Sequence, residues 1–291
     1  MRRLGGMLGV GRSSLIAAPA WVGPLDGMTA PAAAYSLRRL LTSYTGPLIR
    51  VRNGPGDEMD IESVDGFLDT TAILDFCDPL RQGGIGKVAK WYDQSGNGHD
   101  LIAGATEDSN DYYPLIYNNE SAEEFGGFPA IKFLREQMDT GMFCRGPIAA
   151  NSAYRKYCAI IGKSVNLGQY AVESLIDADH TLIGYRNNTW IDNGTINIYA
   201  GSVASDDFDY TSVPRSVVSI FNGEASHIIL DGLDSGAVSS GSDTLMVDTL
   251  RIGNRWTAAG DCFNGHFLEL VIVTSEETAI PIEQRSAYGI S

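Results

Sequence analysis

Short turn signals divide the carboxy-terminal half of this chain into many brief apolar segments. The dipeptides Asn193-Gly194, Asn222-Gly223 and Asp231-Gly232 favour two-residue hairpin turns, because these residues tolerate the positive φ angles that such turns require. We also predict a turn at Asn187-Asn188. Runs rich in β-branched and aromatic residues lie between the turns, as in Arg215-Ser-Val-Val-Ser-Ile-Phe221. Many short strands joined by such turns predict an all-β sandwich or jelly roll.

Helical patterns are confined to a few places. An amphipathic helix is predicted from four apolar residues at helical spacing, Leu37, Leu40, Leu41 and Tyr44. Asp69 is predicted to cap a second helix, and residues 281–288 are predicted to form a terminal one. Between them, residues 88–92 and 154–162 are predicted strands, the second of them buried because its apolar residues are consecutive. Helices are therefore expected to be short and peripheral.

Several motifs in fixed order resemble a known family. They are Tyr35-Ser-Leu-Arg-Arg-Leu40, Tyr44-Thr-Gly-Pro47 and Trp91-Tyr-Asp-Gln-Ser-Gly-Asn-Gly98. Together they resemble the amino-terminal part of the catalytic domain of fungal-type α-L-arabinofuranosidase B. They resemble even more the related concanavalin-like (LamG-like) modules of phage virion and tail proteins. The resemblance covers residues 33–102 closely and residues 263–273 more loosely, and it implies a concanavalin-like β-sandwich with a few short peripheral helices.

The first 33 residues differ from the rest in composition. Residues 1–30 carry three arginines and one aspartate, whereas the whole chain has a formal net charge of -15. We therefore predict an amino-terminal assembly arm over residues 1–33 and a sandwich over residues 34–291. The alternative is that this segment covers the chain's own sandwich. The predicted arm contacts are Arg2, Arg3, Leu8, Arg12, Leu15, Ile16 and Trp21.

The acidic charge balance argues against a nucleic-acid partner, because phosphate binding needs clustered Lys and Arg. The apolar run over residues 14–21 is too short to cross a membrane, so no membrane partner is expected. The four cysteines show no C-x-x-C spacing, which favours free thiols over disulfides. No resident cofactor is expected. A calcium ion is the alternative, because Asp93, Ser95 and Asn97 are spaced like the front of a calcium loop. The same residues also suit a loop that caps its own turn.

The resemblance also bears on catalysis. Arabinofuranosidases of this kind use two carboxylates about 5 Å apart, one as nucleophile and one as acid. This chain lacks the family's Gly-His-Met-Glu motif, and Asn254 and Arg255 stand where the resemblance places the acid motif. We therefore expect no catalytic residues and no enzymatic activity. Glu269 is expected to be a buried, hydrogen-bonded acid. Glu173 and Asp177 suit either a solvated strand edge or an inverting pair.

Aromatic and amide side chains in the β-rich half suggest a lectin-like site, because sugars stack on rings and bond to planar polar groups. The candidates are Tyr185, Asn187, Trp190, Asp192, Asn193, Arg255 and Trp256. Combined with the resemblance, this predicts a phage virion structural protein, either a capsid decoration or a tail or fibre component, that binds host-surface or environmental polysaccharide. It would be made in the host cytoplasm and lie on the virion exterior as an oligomer, joined to other virion subunits by the arm. The alternative is an arabinofuranosidase-like glycoside hydrolase.

Overall fold

The computed structural model describes residues 21–80, 83–103, 113–119, 121–134, 142–148, 154–163, 173–180, 185–192, 195–199, 203–209, 211–234, 236, 247–253 and 263–291. These residues form an all-β, concanavalin-like sandwich with two short helices, which confirms the predicted fold class.

Before residue 140 the described residues form twelve strands and one helix. They are β1 (Ala33–Ser36), β2 (Ile49–Asn53), β3 (Glu58–Ile61), β4 (Ser63–Val64), β5 (Phe67–Leu68), α1 (Thr70–Cys77), β6 (Ile85–Trp91), β7 (Leu101–Ala103), β8 (Leu115–Asn118), β9 (Ser121–Ala122), β10 (Glu124–Phe125), β11 (Phe128–Pro129) and β12 (Ile131–Phe133).

After residue 140 the described residues form further strands and a terminal helix. They are β13 (Met142–Ile148), β14 (Arg155–Gly162), β15 (Glu173–His180), β16 (Tyr185–Asp192), β17 (Thr195–Tyr199), β18 (Val203–Asp207), β19 (Arg215–Phe221), β20 (His227–Leu230), β21 (Leu233–Asp234), β22 (Val247–Ile252), β23 (Gly265–Val273) and α2 (Ala279–Ala287).

Antiparallel pairing arranges the strands in two layers. In the first sheet, β1 and β12 lie along one edge of β23, and β14, β19, β20 and β21 follow on its other side. The second sheet runs in the order β3, β2, β6, β7, β13, β22, β15, β16, β17 and β18. Strand β8 pairs with both β6 and β12 and so connects the layers.

The main core lies between the two sheets. It joins side chains of the first sheet, such as Tyr157 and Leu270, to side chains of the second, such as Val51 and Ile196. A hydrogen bond of 2.8 Å between the hydroxyls of Thr189 and Ser219 also crosses the gap. Burial of this large apolar area is the main force that holds the layers together.

The outer face of the first sheet is covered as well. Two further apolar clusters lie there, one around Leu25, Cys158 and Ile280 and the other around Phe125 and Tyr288. They place α2 and the segment before β1 against the sheet. Strand β14 is thus buried on both faces, as its consecutive apolar residues predicted.

The buried cysteines behave as small apolar side chains. Cys77, Cys144 and Cys158 carry thiols rather than disulfide sulfurs, as predicted, whereas Cys262 lies outside the described residues. Burial raises the pKa of Cys77 and of Cys144 to about 11 and that of Cys158 to about 12. These thiols are therefore protonated near neutral pH and are poor nucleophiles.

The predicted helix over residues 37–44 is wrong, although Leu37 and Leu40 are buried as its apolar pattern required. The buried amide of Gln94 replaces the helical hydrogen bonds. Its oxygen accepts from the Leu40 amide at 2.8 Å, and its nitrogen donates to the carbonyls of Ser36 and Arg38 at 3.1 and 3.0 Å. The segment is extended because a residue distant in sequence satisfies its backbone.

Two other local predictions have opposite outcomes. Asp69 caps α1 as predicted, since its carboxylate accepts from the Ala72 amide at 2.9 Å. The predicted turn at Asn187-Asn188 is wrong, because β16 continues through both positions and pairs with β15 and β17. Two partner strands supply the backbone ladder there, and this outweighs the local turn preference of asparagine.

Candidate functional site

A groove of about 300 Å³ opens on the outer side of the first sheet. Five segments that are distant in sequence build it: the residues before β1, the extended stretch after it, the β4–β5 turn, β11 and the end of α2. Its lining residues are Trp21, Pro24, Leu37, Arg38, Arg39, Gly66, Phe67, Phe128, Pro129, Ala287 and Tyr288. The lining is mainly apolar and aromatic, with two guanidinium groups.

One side of the groove, which we call the groove wall, consists of Trp21, Arg39, Gly66 and Phe67. The guanidinium carbon of Arg39 lies 3.7 Å from the centroid of the Trp21 ring. The backbone amide of Arg39 donates to the Gly66 carbonyl at 2.8 Å, which ties the extended stretch to the β4–β5 turn. The ring of Phe67 is 67% exposed at the rim.

Gly66 is required in this wall for two reasons. Its φ of +85° lies in the left-handed region that favours glycine. A Cβ at this position would lie 2.7 Å from the indole nitrogen of Trp21, closer than the two groups can approach. The turn therefore sets the position of the indole on which Arg39 stacks.

Two lining residues, Arg38 and Tyr288, belong to a largely buried ionic cluster. This cluster, which we call the clamp, consists of Ser36, Arg38, Glu269, Glu283 and Tyr288. Arg38 donates to Glu269 through Nε at 2.8 Å and Nη2 at 3.1 Å. It also donates to Glu283 through Nη1 and Nη2 at 2.8 and 2.7 Å. The hydroxyls of Ser36 and Tyr288 donate to Glu269 at 2.8 and 3.2 Å. The clamp thereby joins β1, β23 and α2.

Burial and charge act in opposite directions on the clamp. Burial lowers the pKa of Arg38, but the attraction of Glu269 and the hydrogen bonds with Glu283 outweigh burial and raise it. The pKa of Tyr288 is raised by burial and by the charge of Glu269. The Glu269 side chain has 0% exposure. This confirms the prediction of a buried, hydrogen-bonded acid.

Arg39 differs from the neighbouring Arg38 in the hydrogen-bond and ion-pair partners of its guanidinium. Its Nε is buried and has no hydrogen-bond partner among the described residues. The described carboxylates also form no ion pair with it, whereas Arg38 binds two. Arg39 lines the groove, and because its Nε is buried, the donors that it can offer a ligand there are its two Nη groups.

The sequence-predicted sugar-binding residues lie elsewhere. Tyr185, Asn187, Trp190 and Asp192 belong to β16 in the second sheet, where the register pairs Trp190 with Asn197. The remaining candidates, Asn193, Arg255 and Trp256, fall outside the described residues. The lectin-like site thus stays a prediction.

Sequence reasoning missed the groove wall. Arg39 falls within the predicted helix over residues 37–44, and the sequence patterns predict nothing for Phe67. The usable signal was Asp65-Gly66, a turn followed at once by a large apolar residue. An aromatic ring next to a surface turn is an exposed apolar group, which is the more informative observation on a surface.

The suggested calcium loop is organised by hydrogen bonds. Oδ1 of Asp93 accepts from the amides of Ala34 and Ser95, both at 2.9 Å. Its Oδ2 accepts from Ser95 Oγ at 2.8 Å and from the His99 amide at 3.0 Å, while the Asn97 side chain donates to the Ala32 carbonyl at 3.0 Å. These contacts match the alternative in which the loop caps its own turn. Within the ranges described, no three His, Cys, Asp or Glu residues cluster as metal ligands.

Of the predicted arm contacts, the structure places only Trp21. Arg2, Arg3, Leu8, Arg12, Leu15 and Ile16 lie outside the described residues. The segment after Trp21 packs on the sandwich, since Leu25 is buried and its amide donates to the Leu40 carbonyl at 3.0 Å. No helix in the described part of the chain has the length and apolarity needed to span a bilayer.

No family model matches the chain, and no curated protein matches it in sequence. Solved structures share its β-sandwich fold. A GH54 α-L-arabinofuranosidase soaked with a cyclic sulfate inhibitor matches with a TM-score of 0.69 and 15% identity, over 92% of this chain and 65% of that chain. An arabinofuranosidase complexed with arabinofuranosyl-α-1,2-xylobiose matches with a TM-score of 0.66 and 16% identity over the same shares. This chain therefore spans about 65% of the length of those enzymes.

These similarities correct one expectation. The sequence led us to expect a chain that is not an enzyme. The chain instead shares its fold, over 92% of its length, with arabinofuranosidases, which are glycoside hydrolases. The missing motifs do not support the earlier expectation, because at 15–16% identity the positions of single catalytic residues do not transfer between chains.

Proposed function

We propose that this chain binds carbohydrate and that the groove receives the sugar. The observation that carries the proposal is the exposed ring of Phe67 beside Trp21, Phe128 and two arginines in a groove of about 300 Å³. Ligand pockets typically start at about this size and combine apolar walls with a few polar groups. The matched arabinofuranosidase with bound arabinofuranosyl-α-1,2-xylobiose supports this choice of ligand class.

The chemistry of the groove suits a sugar ring. One face of a sugar carries C–H groups that pack on aromatic rings, and its hydroxyls need hydrogen-bond partners. Phe67 and Phe128 lie on different segments and present aromatic surface. Arg39 supplies the polar complement, because its guanidinium is held in place yet lacks a described ion-pair partner. Stacking and hydrogen bonding are thus available in one place.

Affinity electrophoresis in gels containing arabinan, arabinoxylan or bacterial surface polysaccharides tests the proposal. We expect Phe67→Ala to weaken binding about tenfold, equivalent to about 1.4 kcal/mol, because the exposed platform is lost. Val64→Ala is the matched control, because Val64 lies in the same hairpin and is also exposed but does not line the groove. Equal retardation of Phe67→Ala and the parent protein would contradict the proposal.

The setting of this binding is also a proposal. We propose that the chain acts on the exterior of a phage virion, as a capsid decoration or as a tail or fibre component. In this setting it is an oligomer, and residues 1–33 join it to other virion subunits. The motif resemblance over residues 33–102 and the arginines in residues 1–30 of an otherwise acidic chain support this. Deletion of residues 2–20 should then release the protein from purified particles, whereas a parent protein absent from particles would contradict the setting.

Hydrolysis of α-L-arabinofuranosides is a second candidate function, favoured by the fold shared with two arabinofuranosidase structures. Release of 4-nitrophenol from 4-nitrophenyl α-L-arabinofuranoside, or of arabinose from arabinan, tests it directly. Turnover by the purified chain would make the bound sugar a substrate. Retardation in the gel without turnover would leave the binding function alone.

A further inference from the structure

We propose that the groove selects sugars that carry a carboxylate, namely uronic-acid residues, and that Arg39 binds that carboxylate. This inference rests on the proposed function and adds the ligand class. The two groove arginines are neighbours in sequence, and Arg38 already binds two carboxylates in the clamp. Arg39 lines the same groove and binds none among the described residues.

Stacking fixes the direction of the Arg39 donors. A guanidinium whose carbon lies 3.7 Å from the centroid of the Trp21 ring covers the ring with its face. Its two Nη groups then point outward in the plane of the guanidinium, where an acceptor can approach edge-on, whereas Nε is buried. A carboxylate is the acceptor that best matches this planar fork, because two oxygens can accept two parallel hydrogen bonds.

Asp26 is the described carboxylate whose charge interacts with Arg39, and its oxygens accept hydrogen bonds from other groups. Asp26 accepts from the amides of Gly23 and Thr42 at 2.8 and 3.0 Å and also from the Thr42 hydroxyl. Arg39 contributes to the lowered pKa of Asp26 only as the last of its causes, after the hydrogen bonds from Thr42. Asp26 therefore does not use the donors of Arg39.

The remainder of the groove fits the same ligand. Phe67 and Phe128 offer rings to the C–H face of the sugar that bears the carboxylate. The chain as a whole is acidic, with a formal net charge of -15. Its distant carboxylates are screened at physiological salt, where the Debye length is about 8 Å. The contact with Arg39 is short-range and decides local selectivity.

A ligand pair that differs only in the carboxylate tests this inference on the unmodified protein. The probes are polygalacturonate, alginate and glucuronoxylan, each compared with its carboxyl-reduced form, together with neutral arabinan. We expect at least one acidic polymer to bind about tenfold more tightly than its reduced form. Arg39→Gln should remove that difference, whereas Arg39→Lys should keep part of it because it retains the charge.

The outcomes separate this inference from the proposed function. Equal binding of acidic and reduced polymers, unchanged in Arg39→Gln, would overturn the uronate inference and leave carbohydrate binding in place. Binding of arabinan, without binding of any acidic polymer, would also overturn the uronate inference and leave carbohydrate binding in place. If none of the polymers bound, both proposals would fall. The comparison on the unmodified protein needs no variant, and the urea unfolding midpoint of Arg39→Gln checks that this variant is folded.

Discussion

The clamp and the groove wall use the same kind of side chain for different purposes. Arg38 in the clamp has a side chain that is 13% exposed and donates four hydrogen bonds to two carboxylates. Arg39 in the wall is held by a tryptophan ring, and its Nε has no hydrogen-bond partner among the described residues. A buried guanidinium needs its counter-charges for the fold to persist. A guanidinium that is only stacked on a ring at a groove can donate hydrogen bonds to a ligand.

The largest effect on the free energy of unfolding is expected at Glu269, in the clamp. Replacement by glutamine removes the fully buried charge that faces Arg38 and leaves the guanidinium with only Glu283. Breaking a buried ion pair in this way costs about 3–5 kcal/mol, so we expect a loss of that order in the free energy of unfolding. Urea unfolding at neutral pH measures it. Glu224→Gln, at an exposed position, is the control, and a loss at Glu269 below about 1 kcal/mol would contradict the role of the clamp.

Gln94→Ala should have the next largest effect. The substitution leaves the Leu40 amide and the carbonyls of Ser36 and Arg38 without the partner that holds the extended stretch. A buried polar group left unsatisfied costs about 1–3 kcal/mol, and we expect a loss of that size in urea unfolding. The stretch carries both arginines, so sugar binding should weaken in parallel. Unchanged stability would mean that water replaces the amide.

Residues 37–44 show which features could be predicted from the sequence and which could not. The fold class and the Asp69 cap could be predicted, because strand patterns and helix caps depend on residues that are close in sequence. The conformation of residues 37–44 could not, because Gln94 supplies their hydrogen bonds from more than fifty positions away. The groove was missed for a related reason, since its lining comes from five separate segments. Local patterns predict elements, whereas sites assembled from distant segments require the tertiary structure.

A pH effect of smaller size is expected at Glu123, away from both arginines. The His266 imidazole, whose Nε2 lies 3.9 Å from Oε2 of Glu123, and the ammonium group of Lys132 hold the pKa of Glu123 below its ordinary value of 4.5, despite an opposing effect of burial. A lowered carboxyl pKa stabilises the fold above about pH 4.5, and this contribution is lost as the pH falls through the folded-state value. Between pH 5 and pH 3 the parent protein should thus lose more stability than Glu123→Gln. Parallel pH profiles of the two in urea unfolding would contradict this.

The smallest effect on stability is expected at Arg39, which can be compared directly with its neighbour Arg38. Arg39→Ala removes only the stack on Trp21, since its backbone amide still donates to the Gly66 carbonyl. A cation–π contact of this kind contributes about 0.5–1 kcal/mol, so the unfolding free energy should fall by no more than about 1 kcal/mol. Arg38→Ala, measured in parallel, should cost several times as much, because it leaves Glu269 and Glu283 without their shared cation. Similar losses at the two positions would mean that Arg39 is structural, and the groove wall would then lack a donor set free for ligand.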